Sequence, residues 1–231
     1  MKAMKSVKSI CKLLILIVLL SSHAAYSFSQ DDKEAHFEST YKLNNDGKLA
    51  FSVYDSDLKV NIWKNNEVKL AGDIIVTGGN AEDRELLIAA FEEPEVKSES
   101  NFLDINTQFW KNRMSVGFFN RISLKNGKKV RVTKFKASYT LWIPENVEFV
   151  LNSKYNDVEI TDFAGIFNFD LYDTDVKTGD FGNNSTFDAK YSSLILGNGN
   201  NASFDIYDCD VTGKNMADVK IITKYSTLDF S

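Results

Sequence analysis

Residues 108–127 combine the side chains of this sequence that are best suited to binding a ligand. Bases and large apolar groups lie close together there, namely Trp110, Lys111, Arg113, Met114, Phe118, Phe119 and Arg121. This combination suits anionic glycans, phosphorylated lipids or an envelope surface, and loops carry such functions more often than scaffolds do. We therefore predict an exposed binding loop. The alternative is that the rings cover one side of the fold and the bases pair with its acids.

A basic segment surrounds this loop in an otherwise acidic chain. The formal net charge of the whole chain is −5. Residues 105–144 nevertheless contain no acid and nine bases, namely Lys111, Arg113, Arg121, Lys125, Lys128, Lys129, Arg131, Lys134 and Lys136. Such asymmetry indicates an interaction surface. Nucleic acid is not expected as the partner, because the chain as a whole is acidic and carries the export signal described below.

Tyr172 and Tyr207 form a second candidate site. They occupy equivalent positions of a repeat and are expected to point outward. Their flat rings are suited to stacking on sugars. The alternative is that they pack against side chains of neighbouring strands and bind nothing.

Acidic residues recur in triplets, which raises the question of metal binding and of acid–base catalysis. The two triplets are Asp170, Asp173 and Asp175, and Asp205, Asp208 and Asp210. Such carboxylates would suit Ca²⁺ or the cleavage of a polysaccharide. They lie in turn-forming segments, however, and an active site rarely recurs in every repeat. His36 is the only histidine outside the leader. We predict no catalytic residue, no cofactor and no metal site.

Residues 1–27 have the organisation of a secretory signal peptide. Four lysines precede an apolar run at residues 13–20, and Ala25 and Ser27 suit a cleavage site. The run is too short for a bilayer, which needs about 20 residues; the alternative is an uncleaved anchor. Cys11 precedes the run, so the mature chain is not expected to be a lipoprotein. Cleavage would change the net charge to −9 and leave Cys209 as the only cysteine, which we expect to be a buried filler.

The C-terminal third is a repeat of 17–18 residues. Its anchors are Val158, Val176, Leu194, Val211 and Leu228, at spacings of 18, 18, 17 and 17. Seven residues before the anchors stand Leu151, Phe169, Phe187, Phe204 and Ile221. Apolar and polar residues alternate around these positions, which predicts strands with the Phe column in the core. The segment from Tyr54 to Leu58 copies the same pattern near the start of the chain.

Each repeat must contain a corner between its two apolar positions. The fifth residue before each anchor is apolar or small, and an odd step to the anchor moves the chain from one face to the other. Tyr, Asn, Asp and Ser fill the interval, and the last three favour bends. An all-β solenoid with coils of 17–18 residues explains this register. An antiparallel β-sandwich is the alternative fold, but it does not explain the spacing.

We predict one solenoid domain over residues 28–231 after the signal peptide. Its regular coils occupy residues 145–231. Residues 37–144 are less regular, with the basic and aromatic insertion at 108–127. They also include a helix at 81–93, which Asn80 can cap and Pro94 ends.

The chain resembles a family of exported bacterial proteins that are named as adhesins by inference and whose function is unknown. The resemblance rests on residues 58–70, the short helix, residues 139–147 and the coils of the Tyr-Asn-Asp-Val type. It implies a single-stranded right-handed β-helix at the cell envelope or surface, with an adhesive role and no catalytic residues. In contrast to other solenoids, this sequence has no evident polar cap before Ser231, so the last coil is expected to pair with a partner, or the chain is a shortened design.

These observations predict an exported, non-enzymatic binding protein of the cell envelope. The ligand would be an anionic glycan, a lipid or an envelope surface. The first alternative is a structural or assembly protein that associates through its C-terminal coil. The second alternative is a polysaccharide-active enzyme of β-helix fold.

Overall fold

Regular structure in this protein is almost entirely β-strand, as predicted. The computed structural model describes residues 32–230, so the predicted signal peptide at residues 1–27 lies outside the described residues. In chain order the strands are β1 (Asp32–Lys42), β2 (Lys48–Tyr54), β3 (Asp57–Trp63), β4 (Glu67–Thr77), β5 (Glu95–Glu99), β6 (Phe102–Asn106), β7 (Trp110–Val116), β8 (Phe119–Leu124), β9 (Lys129–Val132), β10 (Lys134–Pro144), β11 (Glu148–Ile160), β12 (Ile166–Thr178), β13 (Thr186–Lys190), β14 (Ser193–Leu196), β15 (Gly199–Asn200), β16 (Ser203–Tyr207), β17 (Asp210–Gly213), β18 (Met216–Ala217), β19 (Lys220–Lys224) and β20 (Thr227–Phe230). The one helix within that range is α1 (Ala81–Phe91).

The strands of the C-terminal repeats stack in parallel, each on the strand one repeat earlier. The order is β11, β12, β13, β16 and β19. The Cα partners run Leu151 to Phe169, Phe169 to Phe187, Phe187 to Phe204, and Phe204 to Ile221. These partners lie 18, 18, 17 and 17 residues apart, as the anchors do in the sequence. The anchors stack in the same way through β12, β14, β17 and β20. Equivalent residues of successive repeats are therefore nearest neighbours.

Phenylalanine rings fill the space inside the stack. Phe187 is 1% exposed, and its ring centroid lies 4.9 Å from that of Phe204 and 5.5 Å from that of Phe169. The intervening acids Asp188 and Asp205 are exposed. This inside and outside assignment follows from the alternation of the strand, and each buried Phe contributes roughly 1.5–3 kcal/mol.

A left-handed residue makes the corner of each repeat. Positive φ angles of 50° to 61° occur three residues before each anchor, at Asp55, Tyr155, Asp173, Tyr191, Asp208 and Tyr225. This conformation reverses the direction of the side chains and accounts for the odd step in the sequence. Aspartate adopts it readily, whereas a bulky Tyr does so at an energetic cost.

A small polar residue follows each corner and closes it with hydrogen bonds. Ser192 Oγ donates to the carbonyl of Lys190 at 2.9 Å and accepts from the backbone N–H of Thr174 at 3.2 Å. Cys209 occupies the same position and is buried, which confirms the expectation of a filler. Its Sγ lies 3.3 Å from the carbonyl of Tyr207, and burial raises the pKa of its thiol.

The first layer of the stack comes from the N-terminal part of the chain. Strands β2 and β3 pair with β11 in parallel, with Tyr54 opposite Lys154 and Leu58 opposite Val158. Strand β1 and residues 64–147 fold against the far side of this layer. There β10 pairs with β3, β4 with β10, β1 with β4, and the β5–β6 hairpin with β2, which gives a mixed sheet.

Helix α1 packs on this N-terminal end. The Asn80 side chain accepts the backbone N–H of Asp83 at 2.7 Å and caps the helix, as predicted. The helix ends at Phe91, two residues before the predicted end. The ring of Phe91 lies 5.3 Å from those of Phe37 and Tyr139. Burial raises the pKa of the Tyr139 hydroxyl above its ordinary value.

The prediction of a loop at residues 108–127 is wrong for most of its length. Strands β7, β8 and β9 form a separate antiparallel sheet of three strands. The reason is that apolar and polar residues alternate over a short stretch that extends beyond the proposed loop. Its inward-facing members are buried, namely Ile122, Leu124, Val130 and Val132. The hydrogen-bonded sheet gives the nearby bases fixed positions that a loop would lack.

Candidate functional site

The predicted binding side chains lie on this three-stranded sheet, called here the basic sheet. Its β7–β8 hairpin ends in a turn at Gly117, whose φ is 63°. Large apolar side chains are exposed at that end, namely Met114, Val116, Phe118 and Phe119, which we call the hairpin tip. Phe118 is 90% exposed.

Trp110 does not belong to the exposed surface. It begins β7 at the base of the hairpin and is only 8% exposed. Its ring meets that of Tyr54 edge to face at a centroid distance of 5.1 Å. Trp110 therefore anchors the sheet, and its assignment as a ligand-binding side chain is wrong, because packing on the first layer takes up its surface.

Three bases of the basic segment have acidic partners. Arg113 pairs with Asp55, and its guanidinium lies 5.4 Å from the ring centroid of Phe135. The two other pairs are Lys125 with Glu95 at 2.8 Å, and Lys136 with Asp57 at 3.0 Å. For these three, the alternative that the bases pair with the acids of the fold holds. Arg113 consequently orients the hairpin and is only partly available to a ligand.

The other six bases have no carboxylate partner within residues 32–230. They are Lys111, Arg121, Lys128, Lys129, Arg131 and Lys134, and all are exposed. Arg121 lies opposite Arg131 across β8 and β9, so both point to the same face of the sheet. Because these two guanidinium groups lie close together and have no carboxylate partner in the described residues, they create a positive potential that attracts anions.

Tyr172 and Tyr207 lie in a continuous ladder of aromatic rings. In order the rings are Trp110, Tyr54, Tyr155, Tyr172, Tyr191, Tyr207 and Tyr225. Successive centroids lie 5.1 to 5.7 Å apart, and all the contacts are edge to face. Tyr172 and Tyr207 are half-buried, whereas Tyr155, Tyr191 and Tyr225 are exposed. The predicted alternative of packing between repeats therefore holds for these rings, while Tyr155, Tyr191 and Tyr225 also remain exposed to solvent.

Sequence reasoning singles out Tyr172 and Tyr207, which occupy equivalent repeat positions, and misses four other rings of the ladder, namely Tyr54, Tyr155, Tyr191 and Tyr225. Along the chain, Tyr alternates between the corner and the residue before it. The left-handed corner carries the corner residues onto the same line as the others. The backbone of Lys154 pairs with that of Tyr172, but the ring of Tyr172 contacts Tyr155. The useful signal was one tyrosine in every repeat, irrespective of its exact position.

Charged residues alternate beside the ladder. Repeats with Tyr at the corner carry a lysine before it, namely Lys154, Lys190 and Lys224. The other repeats carry aspartate at the corner, namely Asp55, Asp173 and Asp208. Lys224 Nζ lies 4.7 Å from the ring centroid of Tyr225. Since Arg113 pairs with Asp55, the ladder adjoins one face of the basic sheet, opposite to the face that carries Arg121 and Arg131.

Among residues 32–230, no group of three or more His, Cys, Asp or Glu side chains is placed to hold a metal ion. His36 is exposed on β1 and lies 2.8 Å from Asp73. Over the same range, no helix combines the length and apolar character needed to cross a membrane.

Comparison with known proteins gives distant structural similarity only. No protein-family model and no curated protein matches the chain. Among solved structures, a candidate cell adhesion protein from Clostridium sporogenes is similar, with 10% identity, a TM-score of 0.39, and coverage of 86% of this chain and 99% of that chain. A candidate adhesin from Bacteroides fragilis has 10% identity, a TM-score of 0.28, and coverage of 85% and 97%. A candidate lipid binding protein from Parabacteroides distasonis has 11% identity, a TM-score of 0.24, and coverage of 85% and 96%. Similarity at this level says nothing about the ligand.

Proposed function

We propose that the protein is an exported, non-catalytic binding protein of the cell envelope, with an adhesin-like role toward an extended glycan. The observation that carries this proposal is the aromatic ladder, which presents one ring per repeat and is accompanied by Lys154, Lys190 and Lys224. Neighbouring strands lie about 4.8 Å apart, so the rings form a regular track along the stack. A linear polymer can contact several rings at once, and the lysines beside the ladder attract its anionic groups.

The proposal includes a β-solenoid architecture in one domain, residues 28–231, after a cleaved signal peptide. Parallel pairing at offsets of 17 and 18 residues supports the solenoid, as does the left-handed corner in each repeat. The right-handed sense comes from the family resemblance. Export to the periplasm or the cell surface, without a lipid anchor, rests on residues 1–27.

In this proposal the aspartates near the ladder have a structural role, because they form the left-handed corners of their repeats. Asp173 and Asp208 adopt the left-handed conformation, which Asp tolerates better than most residues. An identical function recurs in every second repeat, which is typical of a structural role. The alternative of a polysaccharide-active enzyme predicts turnover that is lost in Asp173→Asn or Asp208→Asn. A binding protein predicts no turnover and unchanged affinity in both variants.

The test measures the affinity of residues 28–231 for purified anionic and neutral envelope polysaccharides. In the decisive variant, Tyr155→Asn and Tyr191→Asn are combined, because Asn tolerates the left-handed corner and only the rings are lost. An aromatic contact contributes about 0.5–1.5 kcal/mol, so the two losses should weaken binding roughly tenfold or more.

Two controls accompany this variant. Tyr155→Phe with Tyr191→Phe keeps the rings and should keep most of the affinity. Lys177→Gln removes an exposed base on β12 that is not part of the ladder, and it should leave binding unchanged. Equal affinity of the Asn double variant and the original chain would refute the ladder as the binding surface.

A further inference from the structure

We propose that the hairpin tip of the basic sheet inserts into an anionic lipid surface. This interaction is separate from glycan binding on the ladder. It concerns the exposed apolar side chains at the tip and the bases behind them. A lipid surface is the occupant that fits both features.

The hairpin tip is an exposed apolar end that nothing in residues 32–230 covers. Phe118 is 90% exposed and Met114 58% exposed, and Val116 and Phe119 are exposed beside them. Isolated apolar residues are common on protein surfaces, but a contiguous group at the end of a projecting hairpin indicates a docking site. Aliphatic side chains such as Met114 and Val116 gain little from a sugar, whereas they gain from entering hydrocarbon.

The strand register orders these groups by their distance from the tip. Val116 lies opposite Phe119, and the next pair on the same face is Met114 opposite Arg121. Arg121 in turn lies opposite Arg131, and Lys129 follows one row farther back. Each row lies about 7 Å behind the preceding one, since side chains on one face recur every second residue. Apolar groups therefore come first and bases second, at the depth where an interfacial segment meets lipid headgroups, about 5–10 Å.

The opposite face of the hairpin holds it in place. Arg113 pairs with Asp55, and Ile122 and Val130 on the same side are buried. The Asn120 amide also donates to the carbonyl of Thr133 at 2.6 Å. The tip is therefore presented by an ordered sheet, so little conformational entropy is lost when it docks.

Charge complementarity selects the kind of lipid. Arg121, Arg131 and Lys129 have no carboxylate partner within the described part of the chain, although the protein as a whole is acidic. A zwitterionic surface offers these bases no net attraction. An anionic surface attracts them and, at the same time, repels the acidic remainder of the protein, which orients the hairpin toward the bilayer.

The test uses residues 28–231 with two kinds of vesicle. One contains phosphatidylcholine alone, and the other contains phosphatidylcholine with roughly a third of anionic phosphatidylglycerol. Cosedimentation should occur with the anionic vesicles and weaken at high salt. Phe118→Ser should reduce the partition coefficient about tenfold or more, since one buried Phe side chain is lost. Arg121→Gln with Arg131→Gln should reduce it by a similar factor.

The matched control is Ile195→Ser, which removes an apolar side chain that is 53% exposed on β14, away from the hairpin. It should bind vesicles as the original chain does. A Phe118→Trp variant gives a direct readout of insertion, because its additional fluorescence should shift to the blue with anionic vesicles and be quenched by brominated lipids.

Three results would overturn the proposal. They are absence of binding to anionic vesicles, an unshifted Phe118→Trp spectrum in bound protein, and an equal loss in Ile195→Ser and Phe118→Ser. The polysaccharide measurement with the Phe118→Ser variant separates the two proposals. Retained polysaccharide binding with lost vesicle binding supports lipid insertion by the tip. Loss of both in a folded Phe118→Ser variant would refute the separation between lipid binding by the tip and glycan binding by the ladder.

Discussion

Truncation of Phe187 to alanine is the sharpest test of the inside of the stack. The ring is 1% exposed and lies between those of Phe169 and Phe204, with Phe181 at a centroid distance of 5.5 Å. The adjacent layers are held by their own strand pairing, so they cannot collapse into the vacated space. A Phe to Ala change of this kind costs about 3–5 kcal/mol, from lost burial and from the cavity.

Tyr172→Ala is the matched perturbation on the outside. Packing against side chains of neighbouring strands, as expected from the sequence, predicts a loss of unfolding free energy under about 1 kcal/mol. The structure places the Tyr172 ring edge to face with Tyr155 at 5.7 Å and with Tyr191 at 5.4 Å. Each such contact contributes about 0.5–1.5 kcal/mol, so we expect a loss of roughly 1–3 kcal/mol. The ladder therefore makes the outer ring more important than the sequence suggests, but less so than the core ring.

Urea unfolding followed by circular dichroism measures both losses. With a slope of about 2 kcal/mol per molar urea, the midpoint should fall by roughly 1.5–2.5 M for Phe187→Ala and by roughly 0.5–1.5 M for Tyr172→Ala. An equal fall in the two variants would refute the reasoning, because it would mean that the Phe column is no better packed than the Tyr ladder.

Three further predictions concern single positions and the last strands. Cys209→Ser should change the unfolding free energy by less than about 1 kcal/mol, because Ser226 fills the equivalent position in the next repeat. The native Cys209 thiol should react slowly with alkylating reagents, since burial raises its pKa. Hydrogen bonds from the Asn198 side chain and backbone lower the pKa of Asp180 below 3.8, so its contribution to stability is present above pH 3.8 and is lost as the pH falls through the lower, folded value. An NMR titration should find that Asn198→Ala returns this pKa toward 3.8. If the protein assembles through its C-terminal coil, sedimentation should detect oligomers whose fraction rises with concentration, and Ile222→Lys on β19 should abolish them. A monomer at all concentrations would contradict this alternative.

Local periodicity determined much of the fold before the tertiary structure was considered. Alternation of apolar and polar residues assigned Phe187 to the inside and Asp188 to the outside, because side chains of a strand alternate between two faces. The spacings of 17 and 18 residues matched the strand register, because stacking of equivalent apolar residues is the arrangement that buries them all. The capped helix was equally local, with Asn80 before it and Pro94 after it.

Only the tertiary structure decided how distant segments meet at the candidate site. The pairing of Arg113 with Asp55 and the burial of Trp110 on Tyr54 join residues more than 50 positions apart, and no local pattern encodes such contacts. The positive φ at the corners, which brings the corner tyrosines into line with Tyr172 and Tyr207, likewise depends on the parallel pairing of each repeat with the next. Sequence alone thus identified the residue types that bind anions and stack as rings. Packing of the β7–β9 sheet on the first layer determined which of them remain free to do so.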